Sequence, residues 1–291
     1  MNGLRIIVLA KQVPDTRNVG KDAMKADGTV NRAALAAIYN PEDLNALEQA
    51  LRLKSKIKGA TVYILTMGPA RAAEIIRESM YRGADGGYLL SGREFAGSDT
   101  LATSYALACA IRNMGKVDLI ICGRQAIDGD TAQVGPQVAE KLGLPQITYA
   151  EEILDLSDNK ITVKRRLERG VEVVKGSLPM LVTVNGSAAN CRPRHAKLTM
   201  KYKHAATSTE KQEQGSDYTD LYDIHPYLNI TEWGVNDIQH DVKWLGLTGS
   251  PTKVKQIESV VFTAKESKRL TASDLDIESL MKELIVNHTI G

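Results

Sequence analysis

Short apolar runs alternate with segments of helical periodicity through the first half of the chain. Four of these runs are typical of buried strands: LRIIVLA (4–10), ATVYILT (60–66), GYLL (87–90) and VDLIIC (117–122). The segments between them repeat apolar residues every three or four positions, as Leu44, Leu47 and Leu51 do. This β–α–β–α order predicts an α/β fold with a parallel sheet of the adenine-nucleotide-binding, Rossmann-like type and helices on both faces.

Capping residues mark the starts of two of the predicted helices. A polar loop follows the first strand, and Asn40 then precedes Pro41 and two acidic residues, which predicts a helix capped by the Asn40 side chain. Ser98 or Asp99 is likewise expected to cap a helix that ends near Met114. The helices that cover the sheet are therefore predicted with defined N-termini.

The pattern changes after Pro145. Three irregular strand candidates predict a small β-hairpin insertion near residues 151–176, and PMLVTVN (179–185) is a strand that can rejoin the main sheet. Residues 205–220 are polar and typical of a linker, and a last helix follows Ser273 or Asp274 as its cap. We therefore predict a nucleotide-binding domain over residues 1–204. A linker and an extended C-terminal arm that packs on another subunit are predicted over residues 205–291.

The junction CGRQAIDGDTAQVGPQVAEKLG (122–143) follows the fourth strand. In an open parallel sheet, ligands bind beyond the carboxyl ends of the strands. Asp130 or Thr131 can cap the next helix, and Gln133 completes a capping-box spacing with Asp130. The free N–H groups of the first helical turn then face an anion, and Gly129 lets the backbone approach it closely.

The pair Gly135–Pro136 bears on the same junction. A proline beyond the first turn of a helix removes a hydrogen bond and clashes with the preceding turn, so this pair favours a first turn that is shaped around a ligand. An ordinary strand-to-helix turn with no ligand explains the same residues. The pattern of the junction alone leaves both interpretations open.

Composition narrows the function classes. The 37 basic and 35 acidic side chains give a net charge of +2, and only 5% of the residues are aromatic, which argues against nucleic-acid binding. The three cysteines form no C-x-x-C pair, which favours a reducing, cytoplasmic compartment. The N-terminal run IIVLA is too short to span a membrane. The five histidines lack metal-ligand spacing and no nucleophile motif occurs, so no metal ligand and no catalytic residue is predicted.

A stretch without acidic residues lies between Glu172 and Glu210, and its basic residues cluster within RPRHAKLTMKYK (192–203). A solvated loop is the ordinary explanation of such a charge run. The alternative is a docking patch for an acidic partner, in which Leu198 is an apolar anchor among basic neighbours.

Five segments together form a specific pattern: VLAKQVPD (8–15), NPEDLNALE (40–48), TMGPA (66–70), GRQAIDGDTAQVGP (123–136) and VKRRLERGVEVV…LPMLVT (163–183). With them, the chain resembles the β subunit of electron transfer flavoprotein over nearly its full length. The resemblance implies a subunit that pairs with a larger α subunit, whose FAD is the mobile redox centre. Redox activity then belongs to the heterodimer.

The resemblance also implies site residues. A loop over roughly 188–203 is expected to insert into an acyl-CoA dehydrogenase or another partner dehydrogenase, with Arg192, Arg194, Leu198 and Lys201 as docking residues. The implied nucleotide site consists of Ala10, Asn40, Asp43, Met67, Gly123, Arg124, Gln125, Asp128, Gly129, Asp130, Thr131, Ala132, Gln133 and Val134.

Members of the family differ in what this site holds. In simple electron carriers it holds AMP as a structural ligand. In electron-bifurcating members it holds a second FAD, which accepts a hydride from NADH and divides the electrons between two acceptors. The segments GDTAQVGP (129–136) and SDTLATS (98–104) resemble the bifurcating members. The resemblance therefore implies FAD in this chain, with AMP as the alternative.

The residue types agree with a flavin. Thr100 and Thr103 are small and carry hydroxyl groups, so they leave room and hydrogen bonds for the flavin ring, although an ordinary helix start with small residues explains them as well. Arg124 is then expected to be the cation that stabilises the reduced flavin. A third alternative, from another class, is a stand-alone adenine-nucleotide-binding module of the stress-protein type.

Overall fold

The structure, a computed structural model, describes residues 3–15, 36–215, 219–252, 267–287 and 289–290. Its strands are β1 (Arg5–Leu9), β2 (Gln12–Pro14), β3 (Ala37–Tyr39), β4 (Thr61–Met67), β5 (Gly86–Leu90), β6 (Leu119–Gly123), β7 (Gln146–Ser157), β8 (Lys160–Leu167), β9 (Gly170–Ser177), β10 (Met180–Val184) and β11 (Thr231–Trp233). Its α-helices are α1 (Pro41–Lys56), α2 (Ala73–Arg82), α3 (Thr100–Asn113), α4 (Val134–Leu142), α5 (Ala196–Tyr202), α6 (Ser208–Gln214), α7 (Thr219–Ile224) and α8 (Asp274–Val286).

A nine-stranded sheet forms the centre of the fold, in the order β11-β5-β4-β1-β6-β10-β7-β8-β9. The strands from β11 to β7 pair in parallel, and β7, β8 and β9 pair antiparallel. The predicted α/β class is confirmed. The strand that was expected to rejoin the sheet does so as β10, between β6 and β7, and the predicted hairpin region continues the same sheet as β7, β8 and β9.

The central strand β1 is apolar throughout because both of its faces are covered. Ile6 and Val8 lie in one hydrophobic cluster with residues of α1 and α2, whereas Ile7 and Leu9 lie in a second cluster with residues of α3 and α4. Continuous apolar runs are the expected signature of such two-sided burial. The predicted arrangement of helices on both faces is thus confirmed.

The polar loop predicted between the first strand and Asn40 contains regular structure. Its two ends pair as the antiparallel strands β2 and β3, with Val13 opposite Ile38. Three-residue strands are too short to show a period in the sequence, which explains why the pattern did not indicate them. Residues 16–35 of the loop lie outside the described residues.

The predicted linker over residues 205–220 contains regular, partly buried structure in its described parts, 205–215 and 219–220. Ala205 and Ala206 are buried, and Thr207 begins α6 with a capping box that includes Glu210. The Glu210 carboxylate also pairs with Arg77 on α2, at 2.8 Å. This segment is polar because α6 is a short surface helix, and polar surface helices have the composition of a linker.

The predicted domain boundary at residues 204–205 does not coincide with an edge of the folded body. Strand β11 lies beyond that boundary and pairs in parallel with β5, so it extends the main sheet. Leu245 and Ser250 are also buried. Within the range predicted as a C-terminal arm, α8 begins after the predicted cap Ser273 and carries exposed apolar residues such as Leu275.

Candidate functional site

An open cavity of about 390 Å³ lies at the carboxyl ends of β1, β4 and β6. This is the edge of a parallel sheet at which ligands bind. The structure brings nearly all of the predicted cofactor-binding residues together around this cavity. They are Ala10, Asp43, Met67, Thr100, Thr103, Gly123, Arg124, Gln125, Asp128, Gly129, Asp130, Thr131, Ala132, Gln133 and Val134.

Asn40, the remaining predicted residue, does not line the cavity. It is fully buried and makes no side-chain capping bond to α1, so the predicted capping role is wrong. Its side-chain amide instead donates to the carbonyl of Gln125 at 2.8 Å and accepts from the N–H of Ile127 at 3.2 Å. Asn40 therefore holds the loop after β6 in place, a long-range contact that outweighs the local capping preference.

Asp43 lies at the floor of the cavity and joins two strand ends. One carboxylate oxygen accepts from the N–H of Lys11 after β1, and the other accepts from the N–H of Gly123 at the end of β6, each at 2.9 Å. Burial raises the pKa of Asp43 from 3.8 to about 7, although these two hydrogen bonds act in the opposite direction. The floor thus contains a buried carboxyl group that titrates near neutral pH.

Glu42, the neighbour of Asp43 on α1, holds Arg124. The two side chains pair at 3.0 Å, and the other Glu42 oxygen accepts from the N–H of Gln125. The backbone N–H of Arg124 donates to the carbonyl of Val184 on β10. The hydrogen bond to Glu42 raises the pKa of Arg124 above its ordinary value. Arg124 is therefore a fixed cation at the wall of the cavity.

The loop from β6 to α4 has an unusual backbone. Asp130 and Ala132 have positive φ angles of 50° and 52°, and Gln133 returns to a φ of −103°. Alternation between left- and right-handed backbone is typical of loops in which successive N–H groups form a concave anion site. A salt bridge between Lys11 and Asp128 at 2.7 Å closes one side of this loop.

The start of α4 differs from the predicted capping box. The helix begins at Val134 with Gln133 at the N-cap, and neither Gln133 nor the earlier residues supply a side-chain cap. Asp130 instead accepts a hydrogen bond from the side chain of Gln125, at 2.6 Å. Pro136 is in the first turn, where a proline removes no intrahelical hydrogen bond, so the argument from its position was wrong.

The start of α3 forms the opposite wall of the cavity. Asp99 caps this helix, as predicted, by accepting from the N–H groups of Leu101 and Ala102. The Thr100 hydroxyl donates to the side chain of Gln133 at 2.9 Å, and Ser104 contacts Gln137 in the same way. Polar contacts between the two helix starts thus hold the two walls of the cavity together.

Several residues that line the same cavity are absent from the set of site residues that the resemblance implied. Lys11 follows the first strand directly, so its place in the chain was a sufficient signal. Phe95 and Gly97 lie in an irregular segment after β5, where neither periodicity nor a cap indicated a wall of the site. Leu65 and Leu107 have ordinary core positions, and only the packing shows that they reach the cavity.

Two of the predicted docking residues have acidic partners within the chain. Arg192 pairs with Glu48 at 2.9 Å, and Arg194 pairs with Glu78 at 3.4 Å. The positive charge of this region is therefore lower than its local sequence suggests, because α1 and α2 supply carboxylates from elsewhere in the chain.

The other two predicted docking residues lie on α5. Leu198 is partly buried against the hydrophobic cluster that contains α1 and α2, so it anchors its own segment. Lys201 lies over the rings of Tyr202 and Tyr227. The exposed apolar side chain of this helix is Met200, which the sequence argument did not select.

The described residues contain no cluster of three or more His, Cys, Asp or Glu side chains arranged to hold a metal ion. Within the described ranges, no helix combines the length and the apolar composition needed to cross a membrane. Cys109 and Cys122 are free and buried, as their apolar surroundings in the sequence indicated.

Known proteins are similar to this chain over most of its length. It is 51% identical over 293 residues to "Acryloyl-CoA reductase electron transfer subunit gamma" of Anaerotignum propionicum, which covers 99% of this chain and 100% of that protein. It is 43% identical to "Caffeyl-CoA reductase-Etf complex subunit CarD" of Acetobacterium woodii, with 86% of each chain covered. It is 42% identical to "Electron transfer flavoprotein subunit beta" of Megasphaera elsdenii, with 87% of each chain covered.

The model of the family described as "Electron transfer flavoprotein domain" matches residues 27–213, more than half of the chain. That range includes α1, the loop after β6 and the basic residues of 192–203. The family match and the three relatives agree with each other and with the resemblance found in the sequence. This chain belongs to the electron transfer flavoprotein family, as a subunit of the beta type.

Proposed function

We propose that this chain binds FAD in the cavity and passes electrons to the FAD of an α subunit, and from there to partner dehydrogenases. NADH is the proposed donor, by flavin-based bifurcation. A bound flavin supplies two-electron acceptance and one-electron release. The observation that carries the proposal is the breadth of the cavity, since the loop after β6 and the start of α3 line one continuous space.

The loop after β6 fits the phosphates of a nucleotide. Its alternating φ angles at Asp130, Ala132 and Gln133 form a concave anion site, and the first N–H groups of α4 adjoin it. Gly129 has open space where a Cβ would stand, so the backbone there is accessible. Both FAD and AMP carry phosphate, so this part of the site suits either of the two ligands.

The wall formed by α3 favours the larger ligand. Thr100 and Thr103 line the cavity together with the apolar side chains of Leu65, Phe95 and Leu107. A planar ring system that carries polar edges is bound by such a mixture of apolar and hydroxyl groups. AMP, as a structural ligand, is the alternative. The third alternative, a stand-alone module, is set aside because the chain belongs to the electron transfer flavoprotein family.

Arg124 fits the role of a cation beside the ligand. Its Nε atom is buried and has no hydrogen-bond partner within the described part of the chain. A buried donor without an acceptor is costly, and a bound ligand is one means of satisfying it. Lys11 adds a second positive charge at the other side of the same loop.

The test is the identity of the ligands in the complex. The chain is co-expressed with its α subunit, the ligands are released by heat, and they are separated and quantified by chromatography. We expect two FAD per heterodimer. One FAD and one AMP per heterodimer would support the simple carrier and contradict the proposal.

A cavity-filling variant assigns the second FAD to this cavity. Thr103→Phe is expected to reduce the content to one FAD per heterodimer, because the larger side chain occupies the space beside α3. Arg112→Phe is the matched control, since Arg112 is an exposed residue near the other end of the same helix. Loss of FAD in both variants would mean that the helix, and not the cavity, is affected.

Arg124→Gln is expected to make the midpoint potential of the flavin in this cavity more negative by tens of millivolts. Loss of the cation removes about 1 kcal/mol of stabilisation of the reduced, more negative flavin, and that corresponds to roughly 40 mV for a one-electron step. A spectroelectrochemical titration measures the potential. Arg124→Lys keeps the charge and serves as the control, and an unchanged potential in Arg124→Gln would show that the cation does not act on the flavin.

Partners of the heterodimer are also part of the proposal. The exposed apolar side chains of α8 are proposed to pack on the α subunit, and the segment 188–203 is proposed to dock on a dehydrogenase, with Met200 as its exposed apolar residue. Two relatives are named for reductases of acyl-CoA substrates, which supports an acyl-CoA dehydrogenase as partner. A cytoplasmic location stays a prediction, which rests on the free cysteines.

A further inference from the structure

Tyr149 on β7 has a backbone conformation that is rare for its residue type. Its φ angle is 60°, in the left-handed region, where bulky residues are outliers and glycine is favoured. Tyr149 lies across β10 from the loop that carries Arg124, since the N–H of Arg124 donates to Val184 on β10. A strained backbone persists only where surrounding contacts stabilise it, and such strain is often found at functional sites.

The strain arises at a β-bulge. Ile147 pairs with Val182 and Ala150 pairs with Val184, so two residues of β7 lie opposite Thr183 alone. The Thr183 hydroxyl accepts the backbone N–H of Tyr149 at 3.2 Å, which fixes the bulge. A bulge changes the direction of a side chain at the cost of regular pairing.

At this bulge, the Tyr149 side chain lies with its ring against Arg124. The central guanidinium carbon lies 5.9 Å from the ring centroid, within the range of a cation–π contact. Glu42 on α1 holds the same guanidinium by a hydrogen bond of 3.0 Å. Contacts from two separate elements, α1 and β7, therefore restrict a long side chain that otherwise has many rotamers.

We propose that Tyr149 is a positioning residue, whose bulged backbone places its ring so that Arg124 is held at the wall of the cavity. The effect of this positioning on electron transfer rests on the proposed function, because a fixed cation affects the flavin only when the flavin is bound beside it. The positioning itself is a property of the free chain. Glycine would adopt this backbone conformation without strain, but it has no aromatic ring that could contact Arg124.

The variant that tests this is Tyr149→Gly. Glycine suits a φ of 60°, so the melting temperature is expected to equal or exceed that of the wild type even though the ring is lost. Tyr149→Phe keeps the ring and removes only the hydroxyl group, which also interacts with Arg124, so it separates the contribution of the ring from that of the hydroxyl. The Nε–Hε resonance of Arg124 is followed by NMR in the full chain with labelled arginine and is assigned by its absence in Arg124→Lys.

In Tyr149→Gly, we expect this resonance to move toward the position of a free arginine and its hydrogen exchange to become at least tenfold faster, whereas Tyr149→Phe keeps both close to the wild type. An unchanged resonance and exchange rate in Tyr149→Gly would overturn the inference. These measurements do not depend on a ligand, so they decide the inference whether the cavity holds FAD or AMP.

The flavin potential in the heterodimer then separates the two proposals. If Tyr149 acts through Arg124, Tyr149→Gly shifts the potential in the wild-type background and has no further effect in Arg124→Gln. An equal shift in both backgrounds would show that Tyr149 acts independently and would also overturn the inference. If Arg124 is released in Tyr149→Gly while the potential stays unchanged in every variant, the positioning holds and the proposed role of Arg124 is wrong.

Discussion

Asp43→Asn is expected to remove a pH dependence of stability that the wild-type chain shows between pH 5 and pH 7.5. Burial raises the pKa of Asp43 from 3.8 to about 7. The folded state therefore binds a proton more tightly than the unfolded state, so this contribution to stability is present below pH 4 and is lost as the pH rises through 7. Between pH 5 and 7.5, the unfolding free energy of the wild type relative to Asp43→Asn should fall by roughly 3 kcal/mol.

Urea denaturation of both proteins at several pH values measures this difference. Asparagine cannot accept both backbone N–H groups, those of Lys11 and Gly123, so the variant is expected to be the less stable protein at pH 5. Other titrating groups, such as Glu48 with its lowered pKa, contribute equally to both proteins and cancel in the difference. A difference that does not change with pH would show that Asp43 is ionised throughout this range.

Gly123→Ala is expected to destabilise the fold by about 3 kcal/mol. A Cβ at this position would lie 2.4 Å from a carboxylate oxygen of Asp43 and within 3 Å of the backbone of Glu42 and Asp43. The backbone of α1 cannot move aside without loss of the hydrogen bond between Asp43 and the N–H of residue 123. The free energy of unfolding, again measured in urea, tests this expectation.

Gly129→Ala is the matched control for stability. Gly129 lies in the loop that follows β6, but no atom lies within 4 Å of its added Cβ, so the free energy of unfolding should change by less than about 0.5 kcal/mol. If both variants lost equal stability, the close approach of α1 to the end of β6 would not be the reason for the glycine.

Local patterns identified the elements that build the site, and the reason is physical. A strand covered on both faces must be apolar throughout, so β1, β4 and β6 were visible as continuous runs. Parallel strands place their carboxyl ends at one edge of the sheet, and this rule brought Ala10, Met67 and Gly123 together. The cap at Asp99 was also predictable, because it depends only on residues adjacent in sequence.

Contacts between residues that are distant in sequence could not be predicted from local patterns. Asn40 has the local signature of a cap, yet its amide binds the backbone of Gln125 and Ile127. Arg192 and Arg194 lie in a segment without acids, yet Glu48 and Glu78 reach them from other helices. In each case a long-range hydrogen bond or ion pair replaced the local one, and no local pattern contains that information.

Local sequence patterns were sufficient to establish the α/β class, the order of the strands from β4 to β6 along the chain and the edge at which the cavity forms. Hydrophobic periodicity and helix caps encode these features locally. Tertiary contacts were needed to show that residues 205–215 and 219–252 belong to the folded body and that α4 begins without a side-chain cap. The left-handed backbone at Asp130, Ala132 and Tyr149 was likewise decided by tertiary contacts, because nothing in these residue types requires a positive φ.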